Sequence, residues 1–269
     1  WCGVRALQSI CRCFFDCCRR KGIDLEPRGF TLEYDTNIPR QAGLSGSSAI
    51  ITAALNCLLE YYKVEGHFPV AERPAIVLQA ESDLGITAGL QDRVIQVYGG
   101  LLYMDFEPAS LERQGYGMYS PLDMTLLPKL HLIISNDPSD SGRVHSDVKQ
   151  RWLAGDVVVR RGMTKLAKIA DEGREAIEAG DHQRLSELMD ANFDIRREMF
   201  GDAALGETNL AMVALARQVG AAAKFTGSGG AIVTLCRSQE QGEELQGLCR
   251  QRGFLFVEVD VAPAIHVPA

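Results

Sequence analysis

A chain of 269 residues with 46% apolar and 23% charged residues is long enough to bury a sizeable core as one large or two small domains, and its composition is that of an ordinary soluble globular protein. The formal charge of −7 excludes a general nucleic-acid binder, which needs a basic face, and no apolar run is long enough to span a bilayer. The opening Trp1-Cys2-Gly3-Val4-Arg5 is unlike a signal peptide, so a cytoplasmic location without nucleic-acid or membrane partners is expected.

In chain order, a helix is predicted to about residue 21, because Val4, Leu7, Cys11, Phe14 and Cys18 recur at helical spacing. Five of the eight cysteines (Cys2, Cys11, Cys13, Cys17 and Cys18) lie here and read as small core hydrophobes on a reduced helix; paired Cys-x-x-Cys units and a nearby histidine, which a zinc site needs, are lacking. Residues 30–36 alternate apolar and polar as a half-buried strand does. A small-residue loop then leads into an Ala/Leu-rich helix to about residue 63, and a further helix is predicted at 70–83. A short helix after Asp92 leads to a strand at Leu101–Phe106, and a polar connection precedes a strand at Leu130–Ser135. Helices follow at Val157–Ala179, Asp181–Met199 and Asn209–Val219, with Gly180-Asp181 as stop and cap. A strand (Ala231–Cys236), a helix (Gln239–Gln251) and a strand (Phe254–Val261) close the pattern, which is that of α+β layers with a boundary near residue 138.

The segment Ile38-Pro39-Arg40-Gln41-Ala42-Gly43-Leu44-Ser45-Gly46-Ser47-Ser48-Ala49 carries most of the chemistry. Gly43 and Gly46 let the backbone approach a ligand, the following helix offers free N–H groups and a positive dipole end, and Ser45, Ser47 and Ser48 add hydroxyls that suit phosphate and magnesium. No Gly-Lys-Ser/Thr follows, so this is not a Walker A loop. It resembles the central motif of the GHMP small-molecule kinases, Pro-x-x-x-Gly-Leu-Gly/Ser-Ser-Ser-Ala: Pro39, Gly43, Leu44, Ser45 and Ser47 match, while Gly46 stands for a serine and Ser48 for an alanine.

Two further segments resemble motifs of that family in the right order. Gly85-Ile86-Thr87-Ala88-Gly89-Leu90-Gln91-Asp92-Arg93, followed by Tyr98-Gly99-Gly100, is similar to a family glycine motif whose aspartate is the proposed base, which places Asp92 in that role. Glu81 stands at the separation from Asp92 at which mevalonate kinases carry a magnesium-binding glutamate. One carboxylate would hold metal that bridges phosphates, and the other would take a proton from the bound alcohol. Lys224-Phe225-Thr226-Gly227-Ser228-Gly229-Gly230 resembles the third motif, a glycine-rich turn that in the family closes over the phosphates. Arg40, Arg93, Arg143, Lys149, Arg151 and Lys224, in or beside these segments, offer local positive charge to anionic substrates.

The resemblance implies the two-lobed GHMP kinase fold: a ribosomal S5 domain 2-like N-lobe at 1–137 and a ferredoxin-like C-lobe at 138–269, with the first strands missing. It implies ATP and Mg2+ as cofactors. Ser47 and Glu81 would hold the metal, Gly43, Leu44, Ser45, Gly46, Ser47, Ser48, Gly227, Ser228, Gly229 and Gly230 the nucleotide, and Asp92 would act as base. Asp35 to Gln41, Gly89 to Val94, Asn136 to Ser146 and Gln150-Arg151-Trp152 narrow the resemblance to the glucuronokinase branch. That branch implies a small-molecule sugar acid as partner, phosphorylation of the anomeric hydroxyl of D-glucuronate, and a product that feeds UDP-glucuronate synthesis. Arg143, with His145 and Arg151 behind it, is the nominated carboxylate site. The family's first motif has no counterpart here, so the expectation is a fragment, a misassembled gene product or part of a longer protein. Another GHMP sugar or mevalonate-type kinase, or a catalytically silent GHMP module, are the rival readings.

Overall fold

The structure, a computed structural model, describes residues 3–86, 88–136, 142–227 and 229–266, with residues 142–147 described in backbone only. The chain forms two compact units: Trp1–Ile38, Ser45–Leu122 and Ala262–Ala269 make the first, Pro39–Leu44 and Asp123–Val261 the second. Asp123 falls in the second unit with the strand that follows it, which pairs with strands from the C-terminal half. No helix among the described residues is long and apolar enough to cross a membrane.

The first unit is mainly helical, with α1 (Gly3–Lys21), α2 (Gly46–Tyr62), α3 (Arg73–Ser82) and α4 (Gln91–Tyr98), followed by β1 (Leu102–Asp105), α5 (Pro108–Gln114) and β2 (Met118–Pro121). On α2, Ser48, Ile51, Thr52, Leu55, Leu58, Leu59 and Tyr62 are buried, a stripe of three- and four-residue spacing that can face only one way. It packs with Ile10, Phe14, Cys13, Cys17 and Cys18 of α1 and Val77 and Ala80 of α3, and Phe14 stacks on Tyr62 and Phe68 with ring centroids 5.6 and 5.9 Å away. Burial pushes the Cys13 and Cys18 thiols up to about 11, so these cysteines sit there as neutral core hydrophobes. The Ser9 hydroxyl donates to Ala80 O at 2.8 Å and fixes α1 against the turn of α3 that carries Glu81.

The strand expected at 30–36 is not formed. Residues 30–36 belong to no sheet among the described residues and all but Leu32 are exposed, since alternation alone makes no strand without a partner to complete the ladder. In place of a ladder, the Phe30 ring meets Tyr61 edge-on at 5.8 Å. The hairpin of β1 and β2, antiparallel with Tyr103 opposite Ser120, was legible only in its first strand.

The second unit is built on a four-stranded antiparallel sheet that begins with β3 (Leu130–Ile134). Then come α6 (Gly142–Leu153), α7 (Val157–Glu178), α8 (His182–Phe200), α9 (Asp202–Leu205), α10 (Glu207–Gln218), β4 (Ala222–Phe225), β5 (Ala231–Leu235), α11 (Gln239–Gln251) and β6 (Leu255–Glu258). The strand order is β4-β5-β3-β6, with Ile133 opposite Ile232 and Phe256. Ile133, Ala223, Phe225 and Ile232 form a core with Phe193 of α8, Met212 and Val213 of α10 and Leu245 and Cys249 of α11. Asp181 caps α8 by accepting from Arg184 N at 2.8 Å, as the Gly180-Asp181 signal predicts. β4 is an edge strand, and Asp190 of α8 takes up its free Ala223 N–H at 3.1 Å.

Candidate active site

The phosphate loop is divided between the units, with Pro39–Leu44 in the second and Ser45 onwards in the first. In the first unit Ser45 adopts the left-handed conformation, φ 55°, which costs a non-glycine residue about 1–2 kcal/mol and persists only when neighbours hold it. They do: its carbonyl accepts from Ala49 N at 3.1 Å, from the Ser48 hydroxyl at 2.9 Å and from Gln96 Nε2 of α4 at 3.1 Å. Ser48 is wholly buried and accepts a second bond from Gln96 at 3.3 Å, so its hydroxyl braces the loop from behind. The first-turn N–H groups at Gly46, Ser47 and Ser48 have no intrahelical acceptor, which leaves the start of α2 with donors for an anion.

In the first turn of α2, the Ser47 hydroxyl donates to Glu81 Oε1 at 2.6 Å. Glu81, on α3, has no exposed surface; its Oε2 receives Arg93 Nε of α4 at 2.5 Å, and Arg93 Nη2 closes the same ion pair. Arg93 is itself buried, and its Nη1 donates to Gly89 O at 3.1 Å and to Asp92 Oδ2 at 3.3 Å. The Asp92 side chain keeps 43% of its surface open, and so remains free to meet a ligand. Ser47, Glu81 and Asp92 are thus joined in one network through Arg93, whose role as the link the sequence did not disclose. A hydroxyl and a carboxylate oxygen 2.6 Å apart form a hard-oxygen pair suited to magnesium, with Arg93 already taking up part of the carboxylate's charge.

In the second unit the first half of the loop interlocks with the third motif, backbone against backbone. Gly43, at φ +63°, lies so near Gly229 that a Cβ would come 2.1 Å from Gly229 O, and a Cβ on Gly230, at φ +87°, would come 2.7 Å from Gln41 O. The Thr226 hydroxyl donates to Gly43 O at 3.2 Å, and buried Asn209 of α10 accepts from Gly230 N at 2.8 Å while donating to Leu205 O at 2.8 Å. Leu44 is part-buried against Ala42, Ile134 and Ala231, so its side chain anchors the loop to the sheet. Asn209 and Gln96, which set the two halves of the loop, carry no motif signal.

Arg196 of α8 donates through Nη2 to Gly227 O at 2.8 Å and lies over the rings of Phe200 and Phe225, 5.5 and 5.6 Å from their centroids. Lys224 Nζ donates to Phe225 O at 2.9 Å. Both side chains are partly buried: burial lowers Arg196 to about 10, and burial plus the Arg196 charge lowers Lys224 to about 8. Arg151, expected at the substrate, donates to Asp156 Oδ2 at 2.8 Å and to Met199 O at 2.6 Å. Those partners tie α6 to the cap of α7 and the end of α8. The side chains of Arg143 and His145, and Ser228, lie outside the described residues. An open groove of about 940 Å³ lined by Phe193, Leu210 and Val213 contains none of the motif residues, and the arginines at its wall, Arg197 and Arg217, are paired with Asp202 and with Asp190 and Asp194.

Residues 5–100 match the model of the GHMP kinases N terminal domain and residues 174–251 that of the GHMP kinases C terminal domain. The chain is 54% identical to glucuronokinase 1 of Arabidopsis thaliana over 263 residues, which covers 97% of this chain and 73% of that one. It is 53% identical to probable glucuronokinase 2 of the same plant, with 97% and 72% covered. The solved structure of the Lin0012 protein from Listeria innocua shares the fold, with a TM-score of 0.79 at 15% identity over 96% of this chain and 78% of that one. With the motif loop, the linked acidic pair and the interlocked glycine turn in place, the chain belongs to the GHMP kinase family and is a kinase.

Proposed function

We propose that this kinase transfers the γ-phosphoryl group of ATP to the anomeric hydroxyl of D-glucuronate, giving ADP and D-glucuronate 1-phosphate, a precursor for UDP-glucuronate. The bond between Ser47 and Glu81, with Arg93 linking Glu81 to Asp92, carries the reading, because it gathers a hydroxyl, a buried carboxylate and an open carboxylate in the roles the reaction needs. The 54% identity to a plant glucuronokinase supports the choice of sugar.

The nucleotide's phosphates would lie on the first-turn amides of α2, fixed by Gln96 and Ser48 before any ligand arrives, so little reorganisation opposes transfer. Ser47 Oγ and Glu81 Oε1 would hold Mg2+, which when bound supplies charge neutralisation along the phosphates. Asp92 accepts the proton of the sugar hydroxyl as its oxygen bonds to the γ-phosphorus in line with the departing ADP oxygen. Arg93 holds Asp92 and Glu81 in fixed relation, which keeps one carboxylate on the substrate side and the other on the metal side.

Phosphoryl transfer from labelled ATP to a panel of D-glucuronate, D-galacturonate, D-glucose and mevalonate tests the proposal. Turnover of glucuronate well above the others is expected. Preference for mevalonate or a neutral hexose would replace the substrate, and no transfer to any acceptor would favour the silent module.

A further inference from the structure

The turn Tyr98-Gly99-Gly100, which follows Asp92 in the sequence, has no task in the reaction above. It ends α4, the helix of 8 residues that carries Asp92, Arg93 and Gln96. So short a helix does not hold its own shape in water, and whatever fixes its end fixes side chains only about 9 Å of helix rise away. Val94, Val97 and Tyr98 are buried with Tyr119 and set its axis. Its last carbonyl, Tyr98 O, is taken up by the end of the chain, which belongs to the same unit: Ile265 N donates to it at 2.6 Å and His266 N at 3.1 Å, and Ala264 bridges Gly99 in antiparallel fashion. A Cβ on Gly99 would come 3.0 Å from Pro263 O, and one on Gly100 would come 3.2 Å from Ala264 Cβ, both at positive φ, so the glycine pair is what lets the two backbones lie together. The His266 ring meets α3, the helix that carries Glu81. There Arg73 Nη1 points at His266 Nε2 from 3.5 Å, and Arg73 Nε donates to Phe68 O at 3.1 Å. Arg73 is only 7% exposed and forms no ion pair among the described residues. A guanidinium has no acceptor, so His266 is neutral, with its proton on Nδ1.

We infer that residues 263–266 are a strap and His266 a positioning residue for the transfer: by holding the end of α4 and the start of α3 it keeps Asp92, Arg93 and Gln96 in register with Glu81, an inference that rests on the roles proposed for those residues. The hold depends on the charge of His266. Burial and the Arg73 charge lower its pKa from the ordinary value. Arg73 is the charged group that acts on it; Glu65 and Tyr98 act in turn on Arg73, and Tyr116 and Tyr119 on Tyr98. Protonation sets two cations against each other, so the hold is complete above about pH 6.5 and is lost as pH falls through the folded value.

Hydrogen exchange and kinetics of the full chain test the strap with two variants. His266→Lys sets a permanent cation against Arg73, and His266→Gln keeps an oxygen that accepts from it. His266→Lys should speed exchange of the Gly99 N–H, which donates to Ile95 O at 2.7 Å, by about 10-fold or more and should lower kcat about 10-fold at about pH 7.5, while His266→Gln stays within about twofold of the parent in both. The parent should also lose kcat between about pH 6.5 and 5, and His266→Gln should carry activity about half a unit or more further into acid, which a strap of purely structural use would not bring about. If the parent phosphorylates glucuronate and His266→Lys keeps its kcat, or His266→Gln shares its acid limb, the positioning role is refuted and the reaction stands. If the parent phosphorylates a different acceptor and the variants show the expected pattern with it, the strap stands and the proposed substrate is refuted.

Discussion

Replacing Arg93 with methionine removes the cation from a carboxylate that has no access to water. Glu81 has 0% exposure, and the side chains of the pair retain 5% and 0% of their surface. In Arg93→Met the methionine fills most of the volume, so the change isolates charge from packing, and Glu81 keeps only the Ser47 hydroxyl as a partner. Breaking a buried pair from one side costs about 3–5 kcal/mol because the remaining charge is uncompensated. For a chain of this size each kcal/mol lowers the melting temperature by about 2 °C, so the variant should melt about 6–10 °C below the parent at neutral pH. The companion Glu81→Leu/Arg93→Met removes both charges and should regain most of that loss, since a buried ion pair and an apolar pair of similar volume are close in free energy. Circular dichroism melts of the four corners of the cycle measure it. A single Arg93→Met variant within about 2 °C of the parent, or a double variant no more stable than that single one, would refute the claim that the pair acts as a unit.

Asp92→Asn should lower kcat by about 100-fold or more with KM for ATP nearly unchanged, because it removes the proton acceptor and leaves the phosphate donors intact; native turnover would exclude Asp92 as the base. Gly43→Ala would drive a Cβ to 2.1 Å from Gly229 O at a positive φ, and a loss of at least about 2 kcal/mol in urea unfolding is expected. The lowered Lys224 pKa makes stability depend on pH. The unfolded chain holds that proton up to about 10.5 and the folded one only to about 8, so stability should rise between those values by about 3 kcal/mol and be flat in this respect below them. Unfolding free energies of the parent and Lys224→Met at pH 7.5 and 10 should differ by that rise; equal pH dependence in the two would contradict it.

The helices were legible because burial writes a periodic stripe. The apolar residues of α2 and α7 lie at three- and four-residue spacing, and Asp181 marked the start of α8 by the side chain that caps it. Sheet pairing was less legible. β4 runs Ala222-Ala223-Lys224-Phe225, with little β propensity of its own, and is held as a strand by β5 on one side and Asp190 on the other. Residues 30–36 are the converse case, with a pattern proper to a strand and no partner among the described residues to make one.

The site divides along the same line. Gly43 and Gly230 stood out in the sequence as glycines, and the structure gives the reason, since a side chain at either would meet backbone; Ser47, Glu81 and Asp92 stood out by motif and spacing, and the structure joins them through Arg93 while their roles stay proposals. Arg93 was visible only as a charge beside a motif, since nothing in its own neighbourhood says that its guanidinium would turn to Glu81 on another helix. Asn209 and Gln96 are harder still. Each binds a backbone group whose position is set by the fold, Gly230 N for one and Ser45 O for the other, so their chemistry exists only once the two strained turns are in place. Dividing the loop at Leu44 and Ser45 gives this a physical reason: each half carries its own strain, at Gln41 and Gly43 in one unit and at Ser45 in the other, and each needs its own side-chain clamp. Asn209→Ala should therefore loosen the glycine turn without disturbing Ser47 and Glu81, and Gln96→Ala should do the reverse, so hydrogen exchange at Gly230 and Ala49 should respond to one variant each. Exchange that rises at both amides in both variants would show a single loop with a single support, contrary to the two clamps described.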